Sequence, residues 1–197
     1  MPKVFKFFLL LIKMKKKIEK KIEVPDNVEV NIDGSKVKVK GPLGELERSF
    51  KLKENIYLKK ENNKDVIIGC EKATKKEKKL INTTAAHIKN MIKGVVEGFE
   101  YKLQICFSHF PISVEFDKEK GLLLIKNFLG ENKERVAKIL PDVDVEIKND
   151  IVIVKGIDKE KVGQSAANIE NATRIKAKDR RVYQDGIWII EKAGKKV

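Results

Sequence analysis

Cysteine is scarce in this chain: only Cys70 and Cys106 occur among its 197 residues. Two thiols cannot build a disulfide framework or a four-cysteine zinc site, so a reducing compartment is expected. Histidine is equally rare, with His87 and His109 alone, and neither stands at ligand spacing from a cysteine or carboxylate. No apolar run approaches the roughly 18–20 residues that a membrane helix needs. There is no glycine-rich dinucleotide fingerprint and no Gly-Lys-Ser or Gly-Lys-Thr phosphate loop. Carboxylates are numerous but scattered, with no apolar enclosure to raise a pKa. Cys106 and His109, three residues apart, imitate a nucleophile–base pair, but Tyr101–Phe107 alternates like a strand in which Cys106 is a packed thiol. The expectation is no catalytic residue, no metal, no cofactor, no small-molecule substrate and no membrane.

Arginine is the next scarcity. The 43 basic residues include five arginines, and three of those, Arg174, Arg180 and Arg181, fall within eight residues. The formal charge is +14 and its distribution is uneven. Residues 1–17 carry +6, residues 18–98 carry +5, residues 99–173 carry −2, and residues 174–197 carry +5. Both ends are basic and the middle is balanced, which points to a polyanionic partner met by particular segments. Hydrophobic residues make up 42%, enough for a core and too many for wholesale disorder.

At the N-terminus, Phe7–Ile12 is a six-residue apolar run entering Lys13 and Lys15–Lys17, with no small-residue cleavage site behind it. A secretory signal is therefore not expected. A short appended helix, or a chain that truly begins at Met14, is expected instead. From Val28 the pattern becomes regular. Val28, Val30 and Ile32 alternate with polar residues, as do Val37 and Val39, and Asp33-Gly34 lies between the runs, which predicts a hairpin. Short strands fit Leu46–Leu52, Ile56–Leu58 and Val66–Ile68. Thr74 and Glu77 have capping-box spacing. Behind them Ile81, Ala85, Ile88, Ile92 and Val95 mark one face of a helix ended by Gly94 and Gly98.

The plan then repeats. Residues 28–41 align with residues 143–156 at a constant offset of 115, and seven of those fourteen positions are identical. Thr84–Asn90 aligns with Ser165–Asn171 at an offset of 81. The first copy therefore has extra strands between hairpin and helix. The second has its extra strands, Tyr101–Phe107, Ile112–Phe116 and Leu122–Ile125, before the hairpin. Asp158 is the predicted N-cap of the second helix, whose apolar face is Val162, Ala166 and Ile169. The fold class is α+β: two tandem related domains, each an antiparallel sheet packed on one helix. The expected divisions are a basic and apolar extension over 1–17, a first repeat over 18–98, a second over 99–175, and a basic C-terminal segment with a last strand over 176–197.

That last segment carries the functional reading. Arg174, Lys176 and Lys178 are spaced by two, so an extended chain would present them on one face. Arg180, Arg181, Tyr183 and the sole tryptophan, Trp188, follow. Clustered arginines and aromatics suit phosphate neutralisation beside base stacking. Asp185-Gly186 reads as a turn returning Ile187–Ile190 as a strand, which leaves Trp188 either packing or stacking.

Several ordered motifs resemble the family of large ribosomal subunit protein six in its archaeal and eukaryotic form. They are Lys40-Gly41-Pro42, Met91–Gly94, Tyr101-Lys102, Ser108–Ile112, Asn127–Glu131, Lys155-Gly156 and Arg181–Ile187. The resemblance covers residues 22–192, with tyrosine at 183 and tryptophan at 188 where the family commonly has phenylalanine and tyrosine. The first 13 to 20 residues have no counterpart. The resemblance implies two tandem α+β domains and a cytoplasmic structural constituent of the large ribosomal subunit. It implies binding to large-subunit ribosomal RNA near the sarcin–ricin loop and stalk base, neighbouring large-subunit proteins as partners, and RNA contact mainly by the second domain. The expected RNA-binding set is Arg174, Lys176, Lys178, Arg180, Arg181 and Tyr183, followed by Ser108, His109 and Asn127 as loop residues, then Lys155 and Gly156. A free RNA-binding regulator off the ribosome is the alternative reading.

Overall fold

The computed structural model describes residues 16–61, 65–179 and 181–197. The apolar run at Phe7–Ile12 and the choice of Met14 as a beginning lie outside the described residues. The described residues form two compact units that divide between residues 96 and 97.

In the first unit, β1 (Lys16–Glu23) pairs antiparallel with β6 (Asp65–Ala73), and β6 pairs with β5 (Tyr57–Glu61). A second sheet is the meander β2 (Glu29–Asp33), β3 (Lys36–Gly41), β4 (Gly44–Ser49). The predicted hairpin is β2–β3, with Val30 opposite Val39 and Ile32 opposite Val37. Gly34 takes the left-handed conformation in its turn, with φ 60°. Helix α1 spans Lys75–Glu97. Its N-terminus is held by the capping pair: Thr74 N–H donates to Glu77 Oε2 at 3.0 Å, and the Thr74 hydroxyl donates to the same oxygen. Lys53 adds an ion pair to Glu77 at 2.8 Å. Ile81, Ala85, Ile88 and Val95 are fully buried, as the spacing predicted. Gly94 does not end the helix; it is buried inside it. Gly98, with φ 72°, ends it, because glycine takes the left-handed terminal conformation with no Cβ penalty.

The second unit places β7 (Phe99–Cys106) at the centre of a five-stranded sheet ordered β11-β12-β7-β13-β14. Its partners are β11 (Val143–Lys148), β12 (Ile151–Gly156), β13 (Gly186–Lys192) and the two-residue β14 (Lys195–Lys196). A separate meander holds β8 (Ser113–Asp117), β9 (Leu122–Lys126) and β10 (Arg135–Lys138). Helix α2 spans Lys159–Ala172, and Asp158 caps it by accepting from Glu160 N–H at 2.9 Å. Along β7, Phe99, Tyr101, Leu103 and Ile105 face the core with Val162, Ala166, Ile169 and Ile187, while Lys102, Gln104 and Cys106 face the other way. The strands of each unit thus divide between two sheets. β1 and β10 are additions to the expected elements, and β13 is followed by β14.

The repeat survives at the level of packing. The paired valines Val37 and Val152, and Val39 and Val154, are all fully buried. A Cβ on Gly41 would lie 2.6 Å from Val95 Cγ2, and one on its counterpart Gly156 would lie 2.8 Å from Val162 Cγ2. Each glycine therefore marks the place where a hairpin strand meets its helix. In the two helices, Thr84 and Ser165 are equivalent and buried; Thr84 bonds back to Leu80 O, while Ser165 Oγ accepts from Leu140 N–H.

Candidate nucleic-acid interface

Most of the residues singled out in the second half meet at one end of the five-stranded sheet, where β7 stops at Cys106 opposite Gly186, the first residue of β13. The segment from Arg174 to Asp185 bridges α2 to β13 and is pinned at its base. Buried Thr173 donates to Glu170 O at 3.1 Å and accepts from Ile187 N–H at 3.0 Å, stapling the end of the helix to the start of the strand. Arg135 holds the segment from the side. Its guanidinium is bidentate to Glu131 at 2.8 and 2.6 Å and donates to the carbonyls of Ala172 and Arg174 at 3.0 and 3.3 Å. It also lies 4.2 Å above the buried Phe128 ring. This guanidinium, hydrogen-bonded to the Glu131 carboxylate, holds that group below its ordinary range, and Lys178 adds to the lowering.

The segment is not an extended strand. Ala177 is in the left-handed region at φ 57°, so the alternation of Arg174, Lys176 and Lys178 is broken and the chain turns. Asp179 folds the next residues by accepting from Arg181 N–H on its carboxylate at 2.9 Å and from Tyr183 N–H on its carbonyl at 2.9 Å. The three bases 174, 176 and 178 and Arg181 remain exposed. Lys178 is turned back, its Nζ 4.5 Å from the Tyr183 ring centroid. Arg180 lies outside the described residues.

Asp185 joins this segment to the Ser108–Ile112 motif. Although 1% exposed, its carboxylate accepts from Ser108 N–H at 2.7 Å, His109 N–H at 3.1 Å and the His109 ring at 2.7 Å. Burial pushes this carboxyl up, but the two backbone donors and the imidazole outweigh it and bring it down to about 2. The same grip sets His109 against Tyr183, ring centroids 5.0 Å apart and planes 25° from parallel. Asn127 secures the other side of the motif: in the left-handed region at φ 57°, it donates to Pro111 O at 3.0 Å. Ser108, His109, Asn127, Lys178 and Tyr183 thus belong to one construction. The rings of His109 and Tyr183 are engaged with each other, and Lys178 lies over that of Tyr183.

Lys155 and Gly156 are elsewhere. Gly156 pairs with Phe99, at the opposite end of β7 from Cys106, about 23 Å away at 3.3 Å per strand residue. Lys155 lies between Glu146 at 3.3 Å and Glu100 at 3.7 Å. Asp185 and Arg135 were passed over in the sequence. Asp185 was read as a turn residue, although its place in Arg181–Ile187 marked it. Arg135 was visible as one of only five arginines, four residues from Glu131. Among the described residues no His, Cys, Asp or Glu cluster could hold a metal ion, and no helix is long and apolar enough to cross a membrane.

Residues 24–98 and 110–186 match the family described as Ribosomal protein L6. The chain is 53% identical over 175 residues to the large ribosomal subunit protein uL6 of Staphylothermus marinus, across 88% of this chain and 94% of that protein. It is 52% identical over 171 residues to the protein of the same name from Ignicoccus hospitalis, across 85% and 91%. With that of Aeropyrum pernix the identity is 49% over 175 residues, across 89% and 94%.

Proposed function

The chain belongs to the ribosomal protein L6 family, and from that premise we propose that it is a structural, non-catalytic constituent of the large ribosomal subunit. It binds large-subunit ribosomal RNA near the sarcin–ricin loop and stalk base, in the cytoplasm, beside other large-subunit proteins. The family resemblance supplies the location on the subunit. The observation that carries the contact surface is the pinned segment 174–185, which holds four exposed bases at 174, 176, 178 and 181 on a turn fixed by Thr173, Arg135 and Asp185. The body of its unit, residues 99–173, is net negative at −2, so attraction to phosphate concentrates in this segment. Lys155 and Gly156 are secondary, since carboxylates flank the first and α2 packs on the second.

A fixed turn presents its bases without ordering a mobile tail at the moment of binding, which lowers the entropic cost of contact. Binding then neutralises phosphates and releases counterions, favouring one geometry of the RNA. Sedimentation of the endogenous protein through a sucrose gradient, repeated as salt is raised, tests the reading. Stoichiometric migration with large subunits that persists at salt stripping loose factors is expected. Recovery in light fractions would overturn it in favour of a free RNA-binding regulator.

A further inference from the structure

Helix α1 carries a charge pattern that its counterpart in the second unit lacks. Between Lys75 and Lys93 it holds six lysines, at 75, 76, 78, 79, 89 and 93, and all are exposed. The one carboxylate in that stretch, Glu77, is buried and taken up by Lys53 and the Thr74 cap. Packing does not ask for these lysines. At the offset of 81 that aligns the two helices, buried Ile81, Ala85 and Ile88 match buried Val162, Ala166 and Ile169. At that same offset Lys79 and Lys89 stand where α2 has Glu160 and Glu170. Among the described residues, Lys75, Lys76, Lys78, Lys79 and Lys89 have no acidic partner. Lysines three or four apart repel, and cations in a first helical turn oppose the dipole, so the pattern costs stability until an anion covers it.

The exposed residues form one stripe. At about 100° per residue, Lys75, Lys79, Asn82, Ala86, Lys89 and Lys93 lie within about 40° of a single line along the helix. The stripe is about 27 Å long, and its two ends are basic. Its middle, about 15 Å from Lys79 to Lys89, bears only the short side chains of Asn82 and Ala86. Asn82 Oδ1 accepts from Lys20 Nζ at 3.2 Å, which leaves the amide hydrogens of Asn82 to donate elsewhere. A flexible acidic chain would need no such gap between the lysine groups. An A-form duplex does: two phosphate rows flank a wide, shallow minor groove lined with 2′-hydroxyls. We propose that this face of α1 lies across the minor groove of an RNA duplex, its two lysine groups on the flanking phosphates and Asn82 and Ala86 against the riboses. This rests on the RNA-binding function proposed above and gives the first unit a contact of its own, with double-stranded RNA.

Two variants of the full-length protein test this. Lys79→Glu combined with Lys89→Glu installs the residues that α2 carries at the aligned positions. Ala86→Leu keeps the charge and a strong helix former but thickens the middle of the stripe. Urea midpoints close to that of the parent verify that both fold. The probes are a blunt RNA duplex, heparin, polyglutamate and large-subunit ribosomal RNA, each followed by filter retention over a series of salt concentrations. The double variant is expected to lower the salt slope for the RNA duplex by about 1.4 or more, the share of two phosphate contacts. Ala86→Leu is expected to weaken duplex binding about fivefold or more, the equivalent of one lost hydrogen bond, and to leave heparin unchanged. Duplex binding like the parent's in either variant, or equal weakening of heparin by Ala86→Leu, overturns the duplex contact alone. A loss seen with polyglutamate and not with the duplex also overturns it and assigns the face to an acidic protein. Failure of the parent to retain ribosomal RNA at all overturns the RNA-binding function itself.

Discussion

The ring of His109 and the carboxylate of Asp185 meet at 2.7 Å across 76 residues of sequence. That contact, with the Ser108 and His109 amides on the same carboxylate, makes two distant loops into one surface. Asp185→Ala leaves three donors without their acceptor, and an unmet donor costs about 1–3 kcal/mol. The expected loss is about 2–4 kcal/mol in urea unfolding followed by Trp188 emission, with faster amide exchange at 108 and 109. A midpoint equal to that of the parent protein would sink this assignment.

The pH dependence follows from the two strongly lowered carboxyls. Asp185 and Glu77 both fall to about 2 in the folded chain, below the roughly 3.9 and 4.3 of unfolded Asp and Glu. Folded values below unfolded ones mean that their stabilisation is complete above about pH 5 and lost as pH falls toward 2. Urea midpoints at pH 7, 5, 3 and 2 are expected to drop mainly between the last three. The drop in Asp185→Asn is expected to be shallower, and an identical pH profile in that variant contradicts the account.

Salt dependence separates the basic residues. Each lost phosphate contact lowers the slope of log affinity against log salt by about 0.7–0.9. Single substitutions of Arg174, Lys176, Lys178 or Arg181 to Gln are expected to reduce the slope for ribosomal RNA by that amount. Lys155→Gln is expected to leave it unchanged, since Glu146 and Glu100 already neutralise that charge. A reduced slope for Lys155→Gln would place RNA at the other end of β7.

Arg135→Lys retains the charge but cannot span two Glu131 oxygens and two carbonyls. Unfolding is expected to become easier by about 1–2 kcal/mol. Ribosomal RNA affinity is expected to fall with an unchanged salt slope, because the exposed bases remain but their turn loosens. Titrations at three salt concentrations separate that from a lost phosphate contact.

The glycine pair allows a test of the repeat. Gly41→Ala and Gly156→Ala each drive a methyl into a helix valine, and overpacking of this kind costs about 1–3 kcal/mol. Thermal unfolding of the two variants is expected to show similar losses. Val95→Ala is expected to restore part of the first and Val162→Ala part of the second.

The hairpins, the Thr74–Glu77 cap and the buried faces of both helices were legible because alternation, helical spacing and capping are local signals. Gly94 misled because glycine also serves close packing, and its burial depends on what the helix meets. The basic segment was found by composition, but its shape was not, since Ala177 turns the chain where the spacing alone suggests extension. Asp185 looked like a turn residue because its partners, Ser108 and His109, are far away in sequence and converge only when β13 pairs with β7. Arg135 has the same cause: its acceptors Ala172 and Arg174, at the end of α2 and just past it, are 37 and 39 residues away.

The pairing of β13 with β7 also fixes when the surface can exist. β7 is made early in its unit and waits, its outer edge unpaired, until Gly186–Lys192 arrives. A growing chain that has reached Tyr183 already holds every base of the segment, yet lacks Asp185 and the strand that anchors the turn. Shape therefore comes with completion, and unfinished chains carry the charge for nonspecific attraction without the geometry for recognition.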